Sequence, residues 1–476
     1  MTATTPVVVT GSDELIANWD RGELVHFGAP GAQVLRASNW RNDRLTRVQH
    51  LYAAELDVTD AVWRCGLILA RSRLDTVSMR RCRSADVIVI EDCTIDVLDI
   101  RELRGGVALN RCQIGQLVVH GAAQIAASDV IATHVRVTDI GDAVDVSALT
   151  CETLRIAESS GADTTSVSLV DLKVRDELRL ENLTAVNVAT RRVTAGAILF
   201  RDVIAEEVVV ADSHATRVSV TRLRAAAGKT CPVTIGGSVT SSVEIQAAST
   251  DRPAVDLTMR GLRVSGDLLV AGSMHVALET GRVDGTLRRD HVRNSGTTVV
   301  ADSAFEIATV EVPETRIRNR RQALATATAL LGHDGPTALA TLRRSLDDRP
   351  REQDQVYFAE RCANGRRGWG RVPELGQRWT FGYGVRLAEP LAFLVGGIIL
   401  TAVVIGVAAP EVVGPNDDPS WGRTVALAAQ LWFNVGVGLP EAARGPGWAI
   451  TAVLLTTLGL VFVTTLIGIG IRRLVR

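Results

Sequence analysis

A recurring pair of apolar residues, spaced i, i+2, constrains the fold of this chain more than any other feature of its sequence. From about residue 45 to residue 288 these Val, Ile and Leu pairs return at intervals of about ten residues. Each pair is typical of a short strand that buries one face, because side chains alternate along a strand. The pairs are Val87/Val89, Val107/Leu109, Leu117/Val119, Leu154/Ile156, Val167/Leu169, Leu178/Leu180, Val186/Val188, Ile198/Phe200, Val208/Val210, Val218/Val220, Val233/Ile235, Val243/Ile245, Val255/Leu257, Leu268/Val270 and Val276/Leu278.

The even spacing of these pairs predicts a solenoid. Polar corners such as Glu91-Asp92 separate the pairs, and two strands per coil give a coil of about twenty residues that is buried by its neighbours. The alternative is a β-sandwich, which normally has longer strands, more Gly/Asn hairpin turns and more aromatic residues than the 4% found here. We therefore expect a right-handed parallel β-helix over residues 41–310, preceded by an N-terminal cap region at residues 1–40.

Composition and motifs argue against several classes of function. The formal net charge of -1 gives no reason to expect a nucleic-acid partner. The seven cysteines form no C-x-x-C pair, which favours reduced cytosolic thiols over disulfides or a zinc site, and the eight histidines are dispersed. Gly228-Lys229-Thr230 lacks the first glycine of a phosphate loop, where Leu223 stands, and no G-x-S-x-G stretch is present. We expect no enzyme, no cofactor and no metal site.

The last part of the chain carries two long uncharged runs, Leu391–Ala409 and Ala449–Ile471. Each run is long enough to cross a membrane as a helix, which takes about 20 apolar residues. Between them, Arg423–Phe433 is typical of one short helix of about half that length. We expect a two-transmembrane domain at residues 390–476, preceded by an α-helical cytoplasmic linker and interfacial segment at residues 311–389, in which Pro336 opens a helix.

A glycine-spaced loop, Leu431–Pro440, follows the short helix. The order of span, short helix, loop and span is that of a re-entrant pore, where irregular backbone at membrane depth lines water or protein. Alternating Val and Gly offer little besides backbone carbonyls, which can replace the hydration shell of an ion. The alternative is an extracellular hairpin that joins two membrane anchors.

Asn434-Val435-Gly436-Val437-Gly438 resembles the T-V-G-Y-G filter of two-transmembrane potassium channels. It departs from that pattern at Asn434 and Val437, and Leu439 replaces the acidic residue that usually follows. The resemblance implies an ion filter for potassium or another monovalent cation. Because one chain supplies only one pore loop, it also implies a homo-oligomer, namely a tetramer.

The segment before the first span also resembles a known arrangement. Leu342–Asp347, Gln355–Arg361 and Phe381–Arg386 are similar to the segment that joins repeats to a pore in pentapeptide-repeat proteins fused to potassium-channel modules. In the solenoid, Ala85-Asp86-Val87 fits the pentapeptide repeat, but most coils do not keep a five-residue register. We expect the β-helix to act as a sensor or to bind a protein partner.

The second span contributes candidate pore-lining and gating residues. Thr457, Thr464 and Gly468 fall on one helical face, where they could line a cavity below the filter. The alternative is a structural role, in which each Thr hydroxyl forms a hydrogen bond to the backbone of its own helix and the glycine allows close helix packing. Gly459 lies in the middle of the span and is a candidate hinge, although isolated glycines are common in membrane helices.

Charge asymmetry predicts the orientation of the spans. Arginines precede the first span and follow the second, whereas acids outnumber arginines between them, and residues 1–20 do not resemble a signal peptide. We expect a multi-pass protein of the plasma membrane with both termini in the cytoplasm. Two functions remain open, namely a cation channel and a membrane-anchored scaffold whose solenoid binds a protein partner. A membrane enzyme is a more distant third.

Overall fold

The computed structural model describes residues 7–8, 25–26, 34–159, 165–248, 254–289, 297–302, 304–314, 316–364, 388–408, 421–433 and 446–475. Most of the predicted cap region, the Phe381–Arg386 segment and the glycine loop at 434–438 lie outside these residues. The chain divides into two compact units. The first comprises residues 1–313 and 329–333, and the second comprises residues 314–328 and 334–476.

The first unit is built from strands. They are β1 (Val7–Val8), β2 (Val25–His26), β3 (Val34–Ser38), β4 (Arg41–Asn42), β5 (Thr46–Gln49), β6 (Tyr52–Thr59), β7 (Val62–Trp63), β8 (Leu67–Ala70), β9 (Arg73–Arg80), β10 (Arg83–Ser84), β11 (Ile88–Glu91), β12 (Thr94–Asn110), β13 (Gln113–Ser128), β14 (Ile131–Ile140), β15 (Ala143–Ser147), β16 (Thr150–Ser159), β17 (Ser166–Val170), β18 (Lys173–Glu181), β19 (Thr184–Arg191), β20 (Thr194–Arg201), β21 (Ile204–Ala211), β22 (His214–Ala225), β23 (Cys231–Gly236), β24 (Val239–Ala247), β25 (Val255–Val264), β26 (Leu268–Ala271), β27 (Met274–Arg289), β28 (Thr298–Ala301) and β29 (Phe305–Val310).

Strands β3 to β29 form a β-solenoid, as the apolar pairs predicted, whereas β1 and β2 pair in a separate two-stranded sheet. Each long strand pairs in parallel with the strand one turn later, so that one core column runs through Leu117, Val135, Leu154, Leu178 and Ile198. All five side chains are buried, with exposed fractions of 0–4%. A single turn could not bury its apolar face alone, and stacking supplies the missing neighbours.

Two of the predicted buried pairs are wrong. Val87 and Val89 are half-buried, whereas Ile88 and Ile90 fill the core. Val186 is also half-buried, although Val188 is fully buried. In the Val87–Ile90 stretch every residue is apolar, so alternation cannot indicate which face points inward.

The corners of the solenoid are formed by residues in the left-handed backbone conformation. Examples are Arg81, Asp92 and Arg111, with φ of 51°, 53° and 50°. This conformation is unfavourable for residues other than glycine. Each of these corner N–H groups donates to a carbonyl one turn later, for example Asp92 to Asn110 at 3.0 Å. The repeating hydrogen bond holds the same strained geometry at successive turns.

Charges of opposite sign follow one another along the corner columns. The guanidinium of Arg81 binds both carboxylate oxygens of Asp60 at 2.8 Å, and Arg111 binds Asp92 in the same way at 2.7 and 3.0 Å. Arg192 binds Asp171 likewise. These hydrogen bonds lower the pKa of Asp60, Asp92 and Asp171 below the ordinary aspartate value of 3.8.

The end of the solenoid is covered by a short piece of chain that comes later in the sequence. Leu330 and Leu331 are buried, and Gly332 follows with a φ of 79°. A Cβ at Gly332 would come within 2.7 Å of the carbonyl oxygen of Val299 and the Cα of Val300 in β28. Residues 329–333 therefore lie directly on the final turns, which is why they belong to the first unit.

The remaining described elements are helices. They are α1 (Arg320–Leu331), α2 (Pro336–Arg344), α3 (Pro350–Ala363), α4 (Ala388–Ala408), α5 (Trp421–Phe433) and α6 (Pro446–Val475). Pro336 opens α2, as predicted. Arg343 and Arg361 lie over the ring of Tyr357 at 5.4 and 5.3 Å, and Arg343 also pairs with Glu360, which joins α2 to α3.

Candidate pore module

Two helices of the second unit are long and apolar enough to cross a membrane. The qualifying stretches are Pro390–Val407 in α4 and Ile450–Ile471 in α6, with mean hydropathies of 2.5 and 2.3. Only 22% of each stretch is buried within the protein. Exposed apolar surface of this extent needs a lipid or protein neighbour.

The short helix α5 packs against α4 through Trp432. The indole Nε1 of Trp432 donates to the Thr401 hydroxyl at 3.0 Å, and the ring covers Gly397, where an added Cβ would lie 2.5 Å from it. Phe462 of α6 lies 6.5 Å from the same ring and stacks on Phe393 of α4 at 4.7 Å. Trp432 thus joins all three helices at one point.

The carbonyl end of α5 is held by α6. The Thr456 hydroxyl donates to the carbonyl of Leu431 at 2.8 Å, satisfying one of the acceptors that a helix leaves unpaired at its end. The carbonyl of Trp432 lies so close to Gly459 that an added Cβ would be 1.7 Å from its oxygen. Gly459, a candidate hinge, therefore also allows the close approach of α5 to α6.

The other end of α5 lies near the end of α4. Ala428 packs with Ala402 and Ile405, and Thr424 is the nearest neighbour to the Cβ position of Gly406, at 3.7 Å. The helix thus begins beside the last turn of α4 and ends beside its middle. Its 13 residues, at about 1.5 Å each, measure about 20 Å, less than the hydrocarbon thickness.

The predicted pore-lining residues lie on a different face of α6 from the packed one. Thr457, Thr464 and Gly468 are exposed, whereas Gly459 is buried against α5. Thr457 and Thr464 donate to their own helix, to the carbonyls of Val453 and Leu460 at 2.7 and 2.8 Å. The hydroxyls of the two threonines are thus engaged within α6 itself. The filter residues Asn434, Val435, Gly436, Val437 and Gly438 lie outside the described residues.

Sequence analysis missed the residues that fix the position of α5. Trp432, Thr401, Thr456 and Phe462 lie on three separate helices, and no spacing along the chain relates them. One signal could have indicated the contact, namely the glycines Gly397 and Gly459 in the middle of both apolar runs, since small residues allow close approach of membrane helices.

Comparison with known proteins finds no matching family, no curated relative and no similar solved structure.

Proposed function

We propose that this chain is the subunit of a homotetrameric potassium channel in the plasma membrane. In this proposal α4 and α6 span the membrane, α5 is a re-entrant helix, and residues 434–438 form the filter. Both termini lie in the cytoplasm, where the solenoid serves as a sensor or binds a protein partner.

The position of the carbonyl end of α5 carries this proposal. A helix that only joined two anchors would need no fixed depth. Here Trp432 and Leu431 contact the middle of α4 and α6 through Thr401, Thr456 and Gly459. In the sequence, the proposed filter at 434–438 follows directly on Phe433, the last residue of α5.

The electrostatics of such a helix end favour a cation. The C-terminal end of a helix carries about half a negative charge, and the effect is strongest where water is sparse. Gly436 and Gly438 allow backbone conformations that turn carbonyls toward an axis. A ring of such carbonyls requires several subunits, because each chain contributes one loop.

Potassium flux into reconstituted vesicles tests the proposal. We expect the wild-type chain to pass potassium above the level of empty vesicles, with sodium passing less. Gly436→Ala should abolish the flux or its selectivity, because strain of about 1 kcal/mol or more is repeated in each of four subunits. The Gly436→Ala variant should still assemble, which chemical cross-linking of the subunits measures.

A matched control is offered by Gly396→Ala. No residue that the structure describes lies within 4 Å of a Cβ at Gly396, so this variant adds a methyl group without a described neighbour. Gly459→Ala is unsuitable as a control, because its Cβ would overlap the Trp432 carbonyl. Equal flux for Gly436→Ala and Gly396→Ala, or no flux from wild-type protein, would favour the anchored scaffold instead.

A further inference from the structure

We infer that a shallow groove on the wall of the solenoid binds a phosphate group. The groove has a volume of about 430 Å³ and is lined by Thr150, Cys151, Lys173, Val174, Arg175, Thr194, Ala195 and Gly196. This volume is within the range of small-molecule sites. The lining carries two cations, Lys173 and Arg175; Glu152 pairs with Arg175 from beside the groove, and Lys173 keeps a positive charge that fits an anionic ligand.

Lys173 lies between two hydroxyls. Thr150 on β16 and Thr194 on β20 are its register partners on the two neighbouring strands, about 4.8 Å away on either side. All three side chains are exposed, and Lys173 forms no salt bridge with any residue that the structure describes. This row offers an ammonium and two hydroxyl donors to one oxyanion.

Arg175 supplies the second cation. It is two residues from Lys173 on the same strand, so the two side chains share a face, and Val174 between them is buried. Its Nη1 lies 3.4 Å from a carboxylate oxygen of Glu152, which orients the guanidinium and leaves its other N–H groups available. A guanidinium beside an ammonium is a combination that phosphate groups favour.

A β-bulge in β18 lies at the groove. Val174 pairs with Cys151 and Glu177 pairs with Thr153, so Arg175 and Asp176 together face one residue of β16. The same extra residue faces Gly196 on β20, where an added Cβ would be 2.4 Å from the Asp176 carbonyl oxygen. Bulges re-aim side chains and are common beside binding sites.

The floor of the groove is apolar and inert. Val174 and Ala195 are buried, and burial raises the pKa of the Cys151 thiol to about 12, so that it stays protonated at neutral pH. An uncharged floor cannot compete for Lys173 and Arg175. It can instead cover the organic part of a phosphate monoester, since the groove is larger than the phosphate group alone.

Equilibrium dialysis of the full chain in detergent tests the inference. The probes are inorganic phosphate, adenosine monophosphate and adenosine. We expect saturable binding of both phosphates, tighter for the monophosphate, and none of adenosine. Lys173→Gln and Arg175→Gln should each weaken binding about tenfold, whereas Lys173→Arg should retain most of it.

Lys229→Gln is the matched control, because Lys229 is the other lysine of the chain and pairs with Glu206 outside the groove. It should bind phosphate as the wild type does. Equal loss in Lys229→Gln and Lys173→Gln, binding of adenosine as tight as that of its monophosphate, or no saturable phosphate binding would each overturn the inference. Since binding and not conductance is measured, the test is independent of the proposed channel.

Discussion

At the scale of single residues, two adjacent glycines of α4 have opposite surroundings. Gly397 lies under the ring of Trp432, whereas among the described parts of the chain no atom comes within 4 Å of a Cβ at Gly396. Both are in the interior of a helix, where alanine is favoured over glycine by about 1 kcal/mol. Whether a Gly→Ala substitution stabilises or destabilises α4 therefore depends on what the added methyl group meets, and not on the helix itself.

We predict that Gly397→Ala destabilises the chain by about 1–3 kcal/mol, because the methyl group must displace the Trp432 ring. Gly396→Ala should be neutral or stabilising by up to about 1 kcal/mol. Thermal unfolding of the two variants in the same detergent, followed by tryptophan fluorescence, provides the comparison. Equal melting temperatures would show that α5 does not pack on α4 as described.

The corner aspartates give the solenoid a predictable response to acid. Hydrogen bonds from Arg81, Arg111 and Arg192 lower the pKa of Asp60, Asp92 and Asp171 in the folded chain. The unfolded chain therefore binds more protons near and below pH 3.8. The stabilisation is present above the ordinary aspartate pKa and is lost as the pH falls through the lowered values.

We predict that the melting temperature falls more steeply between about pH 5 and pH 3 in the wild type than in the triple variant Arg81→Gln/Arg111→Gln/Arg192→Gln. Above pH 5 the wild type should be the more stable of the two. Scanning calorimetry across this range tests both statements. Parallel pH profiles would mean that the corner pairs contribute nothing to folding.

At the scale of elements, the sequence predicted what depends on local pattern. The strands, the polar corner at Asp92 and the start of α2 at Pro336 follow from alternation, polar turns and the preference of proline for the first turn of a helix, whereas the left-handed backbone at Asp92 was not predicted. Which residues of Val87–Ile90 point into the core could not be predicted, because both faces of that strand are apolar. The contacts of Trp432 could not be predicted either, since they depend on which residues of α4 and α6 meet in three dimensions.

At the scale of the whole molecule, the solenoid has its own core and its own end cover. Its strands bury one another, and Leu330 and Leu331 are buried together with the final turns. Burying apolar side chains of this size stabilises a fold by about 1.5–3 kcal/mol each. A fragment of the chain must therefore include residues 329–333 if it is to keep the stability of the solenoid.

We predict that residues 1–333 form a soluble fragment that unfolds cooperatively and has the circular dichroism of a β protein. Residues 1–313 should be less stable, because the last strands lose the cover of Leu330 and Leu331. Urea unfolding of the two fragments measures the difference. Helix-dominated spectra, or identical midpoints for both fragments, would contradict the prediction.

The alternating charges at one corner limit which turns of the solenoid can be removed. Along one corner Arg71, Asp92, Arg111 and Asp129 follow one another, and Asp92 and Arg111 each have an opposite charge on the turn before and the turn after. Excising the single turn that carries Arg111 would bring Asp92 against Asp129, where like charges repel. Excising the turns of Asp92 and Arg111 together would instead place Arg71 beside Asp129, which keeps opposite charges adjacent. Within these four turns, neighbouring turns can therefore be removed more easily as a pair than singly.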